Sequence, residues 1–158
     1  MSPTQAERIV VLTMRGLALT FAVVGILFVS TPDGVLHRID QVGGWFGDFA
    51  TAPRTEEKLW LGLAFAYMTV ITGIALVVST DVVRYRPLLL VLAAGKAASS
   101  LATGAFFFFD DDVFIYLLNF LVDGSLVLVA LVCWSLAGRV RVGAPERDTD
   151  TVEARAPV

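Results

Sequence analysis

Residues 88–137 read LLLVLAAGKAASSLATGAFFFFDDDVFIYLLNFLVDGSLVLVALVCWSLA. Two apolar runs, Leu88 to Phe109 and Val113 to Ala137, flank the acidic turn Asp110-Asp111-Asp112. A helix needs roughly 20 mainly apolar residues to cross the hydrocarbon core of a bilayer, and each run supplies them. The core holds no water for backbone N–H and C=O groups, so such runs must be helices that satisfy those groups internally. A turn this short makes the two helices an antiparallel hairpin.

Two further runs lie upstream: Ile9 to Val29, interrupted only by Arg15, and Leu59 to Ser79. The expected fold is therefore all-α: an integral membrane four-helix bundle with spans at about 9–29, 59–79, 88–109 and 113–137 inside a domain covering 1–142. Residues 143–158 mix Pro, Glu, Arg, Asp and Thr with little apolar content and are expected to form a disordered cytoplasmic tail. The first run exceeds the usual apolar length of a signal peptide and no A-x-A-like site follows it, so it is read as an uncleaved span.

Composition agrees. Of 158 residues, 56% are hydrophobic and the mean hydropathy is +0.75. A water-soluble fold this short could not hide that much apolar surface. A net charge of −3 gives nucleic acid nothing to bind. One cysteine, Cys133, excludes an intramolecular disulfide, and one histidine, His37, excludes bis-histidine haem ligation. No cofactor or metal is expected. The Asp110–Asp112 triplet reads as a solvated turn, because three consecutive carboxylates on a helix cannot converge on one ion. No nucleophile elbow, zinc-protease helix motif or phosphate-binding loop occurs, so no catalytic residue is assigned. The arginine-rich, Ala/Val/Gly-rich composition suits a GC-rich bacterial genome.

Orientation follows the distribution of Lys and Arg at the span ends. Arg8, Arg84, Arg86, Arg139 and Arg141 fall on one side, Arg38, Arg54 and Lys58 on the other. This places both termini in the cytoplasm and the protein in a bacterial inner membrane. Trp60, Trp134 and Tyr85 suit interfacial anchoring. In the long first loop, Val35, Ile39, Val42, Phe46 and Phe49 recur at helical spacing, after a Thr31-Pro32 start. A short amphipathic helix lying on the outer leaflet or capping the bundle is expected there, with an irregular loop holding buried aromatics as the alternative.

Three ionisable residues lie inside spans, where each costs at least ~2.5–3.5 kcal/mol on insertion scales. Lys96 lies in a run of small residues, Ala93 to Ser100, that lets helices approach closely. Asp123 shares a helical face with Asn119 and Tyr116. Counting from the shared turn at 1.5 Å per residue, Lys96 and Asp123 differ in height by about 4–5 Å, within reach of a lysine side chain. Arg15 is shallower; it can snorkel to headgroups, compete for Asp123 or bind a lipid phosphate. Two readings stand for the set Arg15, Lys96, Ser100, Asn119 and Asp123. It is a binding pocket for a headgroup, quinone or proton, or it is a structural ion pair that fixes helix register.

The layout resembles the DoxX-like superfamily of small four-helix bacterial membrane proteins. The resemblance rests on a first span closing at Thr31-Pro32, Gly62 and Gly73 in the second span, Gly95-Lys96 in the third and Asp123 in the fourth. It implies a compact four-helix bundle and, as in DoxX itself, a membrane subunit of a quinone-linked oxidoreductase. The expected function is thus a non-catalytic accessory or anchoring subunit of a membrane complex, its partners being the lipid bilayer and a second protein or another copy of the chain. The alternative is a small transporter or lipid-binding protein using the Arg/Lys/Asp set. Against transport, no internal repeat or broken helix is visible.

Overall fold

The computed structural model describes residues 2–53 and 58–142. They form five helices: α1 (Pro3–Ser30), α2 (Pro32–Gly43), α3 (Lys58–Thr80), α4 (Pro87–Phe109) and α5 (Phe114–Val142). Four of these, α1, α3, α4 and α5, are long and apolar enough to cross a membrane. The chain is a small polytopic helical membrane protein.

The helices outrun the apolar stretches that mark them. α1 begins six residues before Ile9 because Ser2 and Gln5 form a capping box. The Ser2 hydroxyl accepts from the Gln5 N–H at 3.3 Å, and the Gln5 side chain accepts from the Ser2 N–H at 3.0 Å. Pro3 occupies the first helical position, where a missing N–H costs nothing. α5 continues past Ala137 to Val142. Pro87 opens α4 in the same way as Pro3 opens α1, and Asp81 caps the preceding turn by accepting from the Arg84 N–H at 2.9 Å.

α1 packs chiefly on α3 and α4 chiefly on α5; the two pairs meet along a lighter α1–α5 seam. The close-packed core fills one half of the bundle. There Val10, Met14 and Ala18 of α1 meet Ile71, Ala75 and Val78 of α3. Leu89, Leu92 and Ala93 of α4 and Ala130, Cys133 and Ala137 of α5 complete the layer. Each set repeats at three- or four-residue spacing, one face of each helix. Outward positions carry large apolar side chains, such as Leu19 at 68% and Leu128 at 66% exposure, which is a surface made for lipid rather than water.

α2 departs from the periodicity of the first loop. The helix ends at Gly43, so the expected stripe through Phe46 and Phe49 is cut after Val42. A Cβ at Gly43 would lie 2.6 Å from the Phe114 ring, so this end of the helix reaches α5 only because it has none. Beyond it, Phe46 stacks on Phe114 with centroids 6.0 Å apart, and Phe49 packs on Phe114 at 5.1 Å and Phe107 at 6.3 Å. Thr31 does precede Pro32 at the start of α2, but its hydroxyl donates back to the Leu27 carbonyl at 3.3 Å instead of capping. Arg54 and the tail 143–158 lie outside the described residues.

The other basic and aromatic residues near the 81–86 turn form a lock. The Arg86 Nε–H donates to the Trp134 carbonyl at 3.0 Å, and its guanidinium lies 4.1 Å from the centroid of a Trp134 ring. A Cβ on Gly138 would come within 2.9 Å of that guanidinium. Trp134, expected at the interface as an anchor, is thus half-buried under an arginine.

A polar pair beside an apolar cavity

The α4–α5 hairpin brings Lys96 and Asp123 together at mid-depth. Lys96 Nζ donates to Asp123 Oδ1 at 2.8 Å, and the two residues are 2% and 3% exposed. One turn along α4, Ser100 is also buried; its hydroxyl donates to the Phe120 carbonyl at 2.8 Å. Gly124 lets this approach happen, since a Cβ there would sit 3.2 Å from the Ser100 oxygen. The Asn119 amide donates to the Ser99 and Thr103 hydroxyls at 3.2 Å each. Deeper towards the acidic turn, Gly104 receives the Phe120 ring. The hairpin is therefore stitched by small residues and hydroxyls, as helix pairs in lipid are.

Four of the five sequence-selected residues are thus gathered on this seam. Arg15 is not. It is exposed and makes no hydrogen bond or ion pair among the described residues. The reason is angular. Six residues separate Arg15 from Phe21, the α1 residue that touches Lys96, and at about 100° per residue this puts Arg15 roughly 120° around the helix. It does not compete with Lys96 for Asp123.

Two aromatic residues complete the site, and neither was singled out from sequence. The Lys96 ammonium lies 4.1 Å from the Phe21 ring centroid and 5.2 Å from that of Tyr67. Aromatic faces attract a cation, and more so away from water. A polar aromatic halfway along the second span was the available clue to Tyr67; nothing marked Phe21 among the many apolar residues of α1.

Beside the pair lies a cavity of about 660 Å³, within the size range of small-molecule sites. α5 supplies one wall with Leu118, Asn119, Val122, Asp123 and Leu126, and α1 supplies the opposite wall around Gly16 and Phe21. Tyr67 and Met68 of α3 and Lys96 of α4 close the back. Leu12, Gly16 and Thr20 of α1 and Val122 of α5 line it and are themselves exposed, so it reaches the lipid-facing surface between α1 and α5. At the α2 end it borders a second cavity of about 510 Å³, with which it shares Ile39 and Leu118.

The hydrogen-bond inventory of the pair is incomplete. Lysine carries three N–H donors and a carboxylate has two oxygens. Among the described residues only the one bond between Nζ and Oδ1 is made, and Asp123 Oδ2 accepts from no protein group. Ser100 is engaged inside the seam, and Asn119 spends both amide N–H groups there while also lining the cavity. Among the described residues no group of three His, Cys, Asp or Glu side chains is placed to hold a metal ion.

Comparison with protein-family models, with curated proteins and with solved structures finds no match to this chain.

Proposed function

We propose that the protein is a membrane-embedded binding protein for a lipid-soluble small molecule. The cavity between α1, α3 and α5 is its site, and the Lys96–Asp123 pair is the polar end of that site. One observation carries this reading: a buried ion pair whose spare donors and acceptor adjoin an otherwise apolar cavity open to lipid. The DoxX-like resemblance and the placement of the protein in a bacterial inner membrane, with both termini in the cytoplasm, belong to the same proposal. They rest on Gly95-Lys96, Asp123 and the distribution of arginines. With that orientation α2 lies on the outer side, and exposed Trp45 and Trp60 meet the outer interface.

The test is native mass spectrometry of the protein purified in mild detergent, beside a Gly16→Phe variant. Gly16 lines the cavity at its exposed mouth and nothing lies within 4 Å of where its Cβ would be, so a large side chain there is expected to obstruct the cavity. A bound small molecule present in the parent and lost in the variant supports the reading. Identical spectra, with or without bound mass, overturn it.

The accessory-subunit reading has its own support. Among the small residues of α4, Ala93, Ser100 and Gly104 are buried, but Ala94, Ala98 and Ala102 form an exposed stripe at four-residue spacing. Such a stripe lets another helix approach closely in lipid. Cysteines at these positions that cross-link specifically to one other protein, or to a second copy, in native membranes would favour this role; labelling only by lipid reagents would count against it.

A further inference from the structure

The chemistry of the polar end narrows the ligand. Lys96 and Asp123 together carry no net charge, and both belong to the wall of the same cavity. A headgroup with a net charge would be drawn to one partner and repelled by the other, and its lost hydration would not be returned. Depth adds to this. Lys96 is nine residues into α4, about 14 Å from the helix start at 1.5 Å per residue. A phosphate or quaternary ammonium would have to shed its water to reach that level; an uncharged head sheds far less.

The unused valences then choose among uncharged heads. Lys96 Nζ keeps N–H donors beyond its one bond, Asp123 Oδ2 accepts from no described protein group, and both residues line the cavity. A hydroxyl is the smallest group that donates and accepts at once. A ketone, ester or ether only accepts, and would leave Oδ2 unmet. The rest of the cavity wall is mostly leucine, valine, isoleucine and phenylalanine side chains, with a few hydroxyls such as Thr13 and Thr20, and it shares Ile39 and Leu118 with the second cavity. That shape takes an apolar chain.

Resting on the binding reading above, we propose that the ligand is a long-chain alcohol or an acylglycerol with a free hydroxyl. Its O–H donates to Asp123 Oδ2 and its oxygen accepts from Lys96 Nζ. The chain enters sideways from the bilayer between α1 and α5.

The experiment uses the full chain in lipid nanodiscs with a diazirine-bearing hexadecanol as photoprobe, read by intact mass and peptide mapping. The competitors are hexadecanol, its methyl ether, hexadecyl phosphate and hexadecyltrimethylammonium. The expected result is saturable labelling of α1 and α5, competed by hexadecanol about tenfold better than by the other three, as expected where a lone buried acceptor is left unpaired. Gly16→Phe should cut labelling by about tenfold while unfolding no more easily than the parent. If the ether, phosphate or ammonium compound competes as well as the alcohol, the hydroxyl assignment is overturned and the binding reading stands. If labelling does not saturate, or survives in Gly16→Phe, both fall together.

Discussion

Replacing Lys96 by Met and Asp123 by Leu, singly and together, should give a strongly non-additive cycle with an asymmetry that the two aromatic rings dictate. Lys96→Met keeps the length of the side chain but strands the Asp123 carboxylate, which is 3% exposed and has no other protein partner. Stranding one half of a buried pair costs about 3–5 kcal/mol. Asp123→Leu strands the ammonium, but Phe21 and Tyr67 remain against it at 4.1 and 5.2 Å. Desolvated cation–π contacts return about 0.5–2 kcal/mol, so this variant should be the milder by roughly that amount. The double variant removes both charges and should lie within about 1 kcal/mol of the parent, because buried pairs are seldom net stabilising. The coupling energy, the sum of the two single costs less that of the double, is then on the order of 6 kcal/mol. It can be read by reversible unfolding in mixed detergent micelles, with Trp45, Trp60 and Trp134 as intrinsic reporters. Additive single effects, or a harsher Asp123→Leu than Lys96→Met, would refute both the buried geometry and the part given to the rings. A double variant that folds also separates stability from binding, since it should no longer retain a hydroxylated ligand.

Gly104→Ala places a Cβ 2.7 Å from the Phe120 ring and should destabilise by about 1–3 kcal/mol through overpacking, with rescue by Phe120→Leu in the same unfolding assay. Arg86→Gln removes the guanidinium stacked on Trp134 and its bond to the Trp134 carbonyl; a loss of about 1–2 kcal/mol and a shifted Trp134 emission are expected, and an unchanged spectrum would count against the lock. Asn119→Leu gives up two hydroxyl partners on α4 and should cost about 0.6–1.7 kcal/mol, the scale of interhelical bonds in lipid; no measurable loss would mean that Ser99 and Thr103 bond elsewhere.

The spans were legible because the bilayer makes apolar length decisive. Their ends were not, because hydropathy marks the hydrocarbon-facing part of a helix while hydrogen bonding carries the helix beyond it. The Ser2–Gln5 box at the start of α1 was a terminal signal that hydropathy passes over, in a Ser-Pro-Thr-Gln stretch that spells it out. The Lys96–Asp123 contact could be computed by counting residues from a shared turn, since in a tight hairpin sequence distance fixes height. No such count fixes the rotation of a helix in another pair. That is why Arg15 seemed close enough to join the cluster and instead points away, and why Phe21 went unnoticed. The run of Phe46 and Phe49 misled for a related reason: helical spacing survives in the sequence even though the helix stops at Gly43, and both rings pack on Phe114 from beyond it.

The polar residues of the α4–α5 seam differ in what they leave unused, and that difference separates register from recognition. Ser100 donates to a carbonyl across the seam, and Asn119 uses both N–H groups on hydroxyls of α4. Those contacts already set the height of α5 against α4, over the turn from Ser99 to Thr103. A third lock one turn further on, made of two full charges, adds little to register and carries the desolvation of both ions. Ser100 closes its lock with a single bond across the seam. Both members of the pair also line the cavity beside α1, where the ammonium lies against the Phe21 and Tyr67 rings and Asp123 Oδ2 accepts from no described protein group. Register alone accounts for Ser100 and Asn119. It does not account for a charged pair left half-bonded beside an apolar cavity open to lipid, and a ligand's hydroxyl does.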